Sequence, residues 1–177
     1  VFESMRLAKE QAHSNCSVKQ LGLVYPEDQS RVPDHFEKVI ELERSVQDCG
    51  NFEDKRKLPL IHDIIHCAYR HSEPGDFLVY TNVDIILMPG FYTAIETLLR
   101  SKTCDALVIN KRRIDTRYKK PEDLPLIFAQ LGKSHPGFDC FVFKRELVPD
   151  MRFEQICLGV PGIGISLAHN IFALAEV

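Results

Sequence analysis

The sequence predicts an α/β domain built on a mostly parallel sheet with helices on both faces. Two patterns carry that expectation. Nearly continuous apolar runs at residues 77–87, 106–110 and 138–143 read as strands buried on both sides. Between and around them, residues 34–46, 58–70, 91–101 and 166–177 place apolar side chains at helical spacing. Strands alternating with helices in a chain of 177 residues, without repeats or low-complexity segments, imply one domain spanning residues 1–177.

Taken in order, residues 2–13 set Phe2, Met5, Leu7 and Ala8 among charges at roughly helical spacing. Residues 18–25 form a short β-like run closed by the turn cluster Pro26-Glu27-Asp28. Residues 34–46 (DHFEKVIELERSV) carry an apolar stripe of Phe36, Val39, Ile40 and Leu42, which predicts a helix; the polar residues 48–57 read as loop. Pro59 opens the helix 58–70, where its missing N–H costs little. Gly75-Asp76 turns the chain into the strand 77–87, and Pro89-Gly90 breaks it before the helix 91–101. The strand 106–110 leads into a basic stretch, residues 111–120, without periodicity. A glycine-rich loop, residues 159–164, precedes the apolar last helix. Because a doubly wound domain usually begins with a strand and this chain opens in a helix, a first strand upstream of Val1 is expected.

Composition narrows the classes of function. The chain is 45% hydrophobic and 27% charged with net charge −3, a balance that argues against a nucleic-acid backbone as partner. No apolar run approaches the ~20 residues that span a bilayer, and the first residues do not read as a signal peptide. Six scattered cysteines lack a C-x-x-C pair or zinc-ribbon spacing, so free thiols in a reduced, cytoplasmic setting are expected.

The most informative segment is the end of the strand 77–87. Alternation puts Tyr80, Asn82 and Asp84 on one face, so an amide and a carboxylate project together beyond the sheet edge, where open α/β sheets bind ligands. Hard oxygen donors there suit Mg²⁺ or Mn²⁺ bridged to a diphosphate, which makes a divalent cation at Asp84 the expected cofactor. The plain alternative is a strand cap followed by a turn. Lys111-Arg112-Arg113 follows the next strand and could hold phosphate oxygens, or form a solvated loop. Arg56-Lys57, just before a helix, is a second anion candidate. His135 and Asp139 precede the strand around Cys140, where the alternative is a surface histidine and a turn aspartate.

A rival chemistry is written in His62-Asp63-Ile64-Ile65-His66, an imitation of the H-E-x-x-H zinc motif on a predicted helix. Asp63 shortens the base, no third ligand stands out, and the surroundings are apolar. A zinc hydrolase using His62 and His66 is therefore the remote alternative. The loop 159–164 resembles a dinucleotide fingerprint only superficially, since that motif must open a βαβ unit.

The stretch RKLPLIHDIIHCAYRHSEPGDFLVYTNVDIILMPGFYTAIETLL resembles the middle of GT-A-type nucleotide-diphospho-sugar glycosyltransferases, where a strand carrying D-x-D lies between two helices. Here that position reads Asn82-Val83-Asp84. The likeness continues through residues 105–113 and HPGFDCFVFKR (residues 135–145), and points to poorly characterised glycosyltransferase-like proteins with T-N-x-D and G-[YF]-D-x-F-V-F segments. It implies a GT-A-like domain with a nucleotide-sugar donor and an unknown acceptor. It also implies a divalent metal ion at Asp84 aided by Asn82, and Asp139 as the general base or acceptor-holding group. Arg112 and Arg113 would then stabilise the leaving diphosphate. Lys57 and His135 are candidate substrate contacts, His135 alternatively completing the metal shell beside Asp139, and Asp28 would touch base or ribose by analogy of position. Replacement of the first aspartate by Asn82 opens the alternative of a GT-A-shaped binding domain that has lost catalysis. A sugar-nucleotide pyrophosphorylase is disfavoured by the lack of a G-x-G-x-R start.

Overall fold

The computed structural model describes residues 1–101, 104–160 and 162–176. Pro161 of the glycine-rich loop and Val177, the end of the predicted helix 166–177, lie outside them. Five helices, α1 (Phe2–Glu10), α2 (Ile61–Arg70), α3 (Phe91–Ser101), α4 (Leu124–Phe128) and α5 (Ile163–Leu174), accompany five strands among the described residues. The strands are β1 (Leu21–Val24), β2 (Lys38–Glu41), β3 (Phe77–Thr81), β4 (Ala106–Arg113) and β5 (Lys133–Lys144). The fold is α/β.

The strands form two separate sheets. β1 and β2 pair in parallel, Leu21 opposite Lys38 through Val24 opposite Glu41. The larger sheet has the order β3-β5-β4, and both of its pairings are antiparallel. The expectation of one mostly parallel sheet is corrected on this point. β3 and β4 do run in the same direction, but β5 enters between them reversed. Continuous apolar runs predict burial on both faces, which does not fix the direction of the neighbouring strand and which the flanking strands do not show, since Val79 of β3 is 37% exposed and β4 is half-buried or exposed beyond Ala106. The central strand does show it: Cys140, Phe141, Val142 and Phe143 are all buried.

The predicted helix at residues 34–46 is also corrected, since Lys38–Glu41 is a strand. The stripe Phe36, Val39, Ile40, Leu42 satisfies either period over so short a run. The exposed edge of β1 decides it, because it supplies backbone partners a lone helix could not match. Glu37 N–H donates to Gln20 O (3.0 Å) and Leu42 N–H to Val24 O (2.9 Å), extending the pairing at both ends. The β-branched pair Val39-Ile40 suits that conformation.

One core joins the larger sheet to two helices. Ile61 and Ile65 of α2 and Leu167, Ala168 and Ile171 of α5 pack on Leu78, Tyr80, Phe141 and Phe143, with Val148, Met151 and Phe153 closing the cluster. Fully burying one such side chain contributes roughly 1.5–3 kcal/mol. α2 begins at Ile61, three residues later than predicted, because residues 58–60 are held extended. Leu158 N–H donates to Pro59 O (2.8 Å) and Ile61 N–H to Ile156 O (3.0 Å). The second bond satisfies a first-turn amide that no side chain caps. The same ladder fixes the start of the glycine-rich loop beside the sheet. All six cysteines are free thiols, and Cys67, Cys140 and Cys157 are buried as small apolar groups.

Candidate functional site

At the end of β3 the core opens into a cleft of about 380 Å³. Tyr80 and Phe141 form its inner wall, residues 82–84 and Phe138-Asp139 its polar rim, and residues 158–160 with 162–164 its far side. The first turn of α5 comes close to β5 beside the cleft. A Cβ on Gly164 would meet the Phe138 carbonyl at 3.0 Å, so glycine permits this contact. Gly162, at φ 120°, turns the chain into the helix through a conformation that side-chain-bearing residues rarely adopt.

The predicted strand 77–87 stops at Thr81. Asn82 N–H still reaches Asp139 O (3.4 Å), but Ile85 N–H then returns to Asn82 O (3.2 Å), closing a turn with Val83 at its exposed tip. Strand geometry therefore aligns Tyr80 with Asn82, while Asp84 owes its position to the turn, where its side chain is 69% exposed.

Asp139 is placed by a bulge. On β4, Ile109 is opposite Cys140 and Asn110 opposite Phe138, which leaves Asp139 as the extra residue without a partner there. Bulges re-aim side chains in this way and recur beside functional sites. Tyr80 Oη donates to Asn82 Oδ1 (3.1 Å), and Asn82 Nδ2 donates to Asp139 Oδ1 (3.1 Å). These two bonds define the orientation of the amide. Burial, followed by the charges of Asp139 and Asp84, pushes the Tyr80 hydroxyl up to about 12, so it remains a donor at neutral pH.

Asp139 Oδ2 is buried and accepts no hydrogen bond of good geometry, but the Lys111 ammonium lies 3.1 Å away. The same ammonium is 4.0 Å from Asp84 Oδ2. His135 Nδ1 is 3.9 Å from Asp139 Oδ2, yet it accepts a bond from Gly137 N–H at 2.9 Å. That nitrogen is engaged as an acceptor, so it offers Asp139 Oδ2 no hydrogen bond, and Lys111 is the nearer partner. The pair that matters is Lys111 with Asp139, their side chains 23% and 15% exposed. At an effective dielectric of ~20 the gross attraction is on the order of 4–5 kcal/mol, much of it offset by the cost of removing both charges from water.

The structure thus brings together Asn82, Asp84, His135 and Asp139. It separates them from the other residues singled out in the sequence. Arg112 turns away from the cleft, and its guanidinium donates to the carbonyls of Leu131 and Gly132. Arg113 is exposed at the end of β4, opposite Lys133. Asp28 lies in the 3₁₀ turn after β1, paired with Arg31 at 3.1 Å. Lys57 pairs with Glu27 of that turn at 2.7 Å. None of these four lines the cleft. Lys111 was visible in the sequence only as one member of a basic run. β4 extends through Arg113, and its irregular register with β5 sends Lys111 and Arg112 to different partners, which spacing alone does not reveal.

The donor set does not suit the divalent ion expected at Asp84. Among the described residues no group of three His, Cys, Asp or Glu side chains is arranged so that it could hold a metal ion. Both ends of the Asn82 amide are engaged, and an ammonium already sits against the two carboxylates. An octahedral ion with oxygen ligands at ~2.1 Å would have to displace it.

The H-D-x-x-H pair is packed. The His62 and His66 rings stack at 4.1 Å, His62 meets Phe153 edge-on at 6.5 Å, and burial lowers the His66 pKa. Asp63, in the position of the zinc-motif base, is tied to Arg44 at 2.5 Å.

No family model matches the chain, and neither the curated proteins nor the solved structures compared with it include a match. Among the described residues no helix is long and apolar enough to cross a membrane.

Proposed function

We propose that the cleft binds a nucleotide-diphosphate sugar and that the chain transfers the sugar to an acceptor hydroxyl held by Asp139. The observation that carries this reading is the Tyr80–Asn82–Asp139 hydrogen-bond chain along the rim of a cleft bounded on its far side by residues 158–160 and 162–164. It joins the two segments, T-N-x-D and G-F-D-x-F-V-F, on which the resemblance to GT-A-type glycosyltransferases rests. Asp139 would accept the hydroxyl proton as that oxygen bonds to the anomeric carbon and the diphosphate departs with the electrons of the broken bond. The GT-A likeness of the fold is part of this proposal and rests on the order of those segments.

The alternative is a GT-A-shaped domain that binds a sugar nucleotide without transferring it. The engagement of Asn82 by Tyr80 and Asp139 favours it, because the first position of the D-x-D equivalent is then committed to structure. A thermal-shift screen of nucleotide sugars, followed by product analysis, decides between the two. The transferase reading expects a raised midpoint through ligand linkage. It also expects Asp139→Asn to bind donor while transfer falls about 100-fold or more. Binding without transfer or hydrolysis leaves the binding domain. If no sugar nucleotide moves the midpoint and Asp84→Ala matches the wild type, the donor site is refuted.

A further inference from the structure

We infer that Lys111, which does not itself line the cleft but pairs with the two carboxylates on its rim, is the built-in cation of the site and occupies the place that a divalent metal ion would need. This inference rests on the donor-site reading for its consequence, metal-independent binding, but its structural core is separate from that reading. Three basic residues follow one another at the end of β4, and they have different partners. Arg112 is bound to the carbonyls of Leu131 and Gly132, and Arg113 is exposed beside Lys133. Lys111 alone of the three faces carboxylates, at 3.1 Å from Asp139 and 4.0 Å from Asp84.

The charge balance around it supports a resident role. Asp139 carries its charge in a largely buried position, and a buried carboxylate needs a partner. Asn82 supplies one hydrogen bond to Oδ1, but an amide carries no charge. His135 is the more distant group, and its Nδ1 is engaged by the Gly137 amide. Lys111 is therefore the group that neutralises Asp139, and the same ammonium lies close enough to bias Asp84. A metal ion drawn to Asp84 and Asp139 would meet a positive charge already in place. Removing that charge would leave two carboxylates facing one vacated position, a set of hard oxygen donors that Mn²⁺ accepts.

The experiment titrates Mn²⁺ into ligand-free protein, followed by electron paramagnetic resonance, for the wild type, Lys111→Met, Lys111→Arg and the double variant Lys111→Met/Asp84→Ala. Wild type and Lys111→Arg are expected to leave Mn²⁺ free. Lys111→Met is expected to gain one site at least tenfold tighter, and the double variant to lose it again. In parallel, UDP and GDP are expected to raise the wild-type midpoint equally in EDTA and in Mn²⁺, whereas Lys111→Met responds only with Mn²⁺. Wild-type Mn²⁺ binding that disappears in Asp84→Ala overturns the inference, and so does a wild-type nucleotide shift abolished by EDTA. The two tests need only the wild type and the single variant Asp84→Ala, and hold even if Lys111→Met does not fold. A gained Mn²⁺ site in Lys111→Met without any nucleotide shift supports Lys111 as the resident cation and removes the donor reading instead.

Discussion

The two halves of β5 differ in what holds them. From Cys140 to Phe143 every side chain is buried, and Phe141 and Phe143 belong to the core with α2 and α5. From Lys133 to Asp139 the same strand alternates between exposed and half-buried positions, passes two irregularities of register with β4, and ends in a charged residue. The inner half is held by apolar contact on both faces. The outer half is held by a few polar bonds, and there the polar groups of the site gather. One strand thus supplies both the anchor and the working edge, and the bulge at Asp139 is where the change occurs.

That contrast can be broken at either end, with effects of decreasing size. Phe143→Ala, which opens a cavity in the inner half, is expected to destabilise the fold by about 3–5 kcal/mol, measured by urea denaturation with an unchanged m-value. In the outer half, Lys111→Met should cost less, about 1–3 kcal/mol, because its ion pair with Asp139 retains some solvent contact. A double-mutant cycle with Asp139→Asn should return a coupling of about 1 kcal/mol or more. Additivity within error would show that the two residues do not interact.

The junction between the halves can be probed by pH. The Tyr80 hydroxyl is raised to about 12, chiefly by burial, against ~10 in an unfolded chain. An acid whose folded pKa is raised contributes stability that is intact below the unfolded value and lost as pH climbs from ~10 towards the folded one. Tyr80→Phe should therefore flatten the alkaline loss of stability. At neutral pH it should cost about 0.5–1.5 kcal/mol for the bond to Asn82. Ultraviolet titration at 295 nm should show one late-ionising tyrosine fewer, with Tyr25, itself raised to about 12, and Tyr92, also raised by burial, remaining. The smallest effect is expected at the turn: Asp84→Ala, 69% exposed, should change stability by less than about 0.5 kcal/mol. Any consequence of that substitution should appear in ligand binding.

Much of the local structure was legible because it follows from short-range chemistry. α3 falls on its predicted residues 91–101, set by Pro89-Gly90 and by apolar spacing. The pairing of Tyr80 with Asn82 follows from the two-residue period of a strand. Residues 34–46 were misread because four apolar positions in so short a window fit both periods, and a neighbouring strand edge made the choice. Lys111 was hidden for a different reason. Its partners are 27 and 28 residues away along the chain, and the register irregularities that direct it have no signature in the basic run itself.

By itself the sequence determined an α/β chain, the buried character of the central strand β5 and the candidacy of Asp84 and Asp139; the turn that ends β3 after Thr81 was only the alternative to a longer strand. Tertiary structure alone decided the reversed direction of β5, the separation of Arg112, Arg113, Asp28 and Lys57 from the cleft, and the choice of Lys111 as the cation at its rim. The reason is physical. Periodicity and turn chemistry act over a few residues, whereas strand direction, bulges and ion pairs are fixed only when segments distant in the chain compete for the same hydrogen bonds and the same charge.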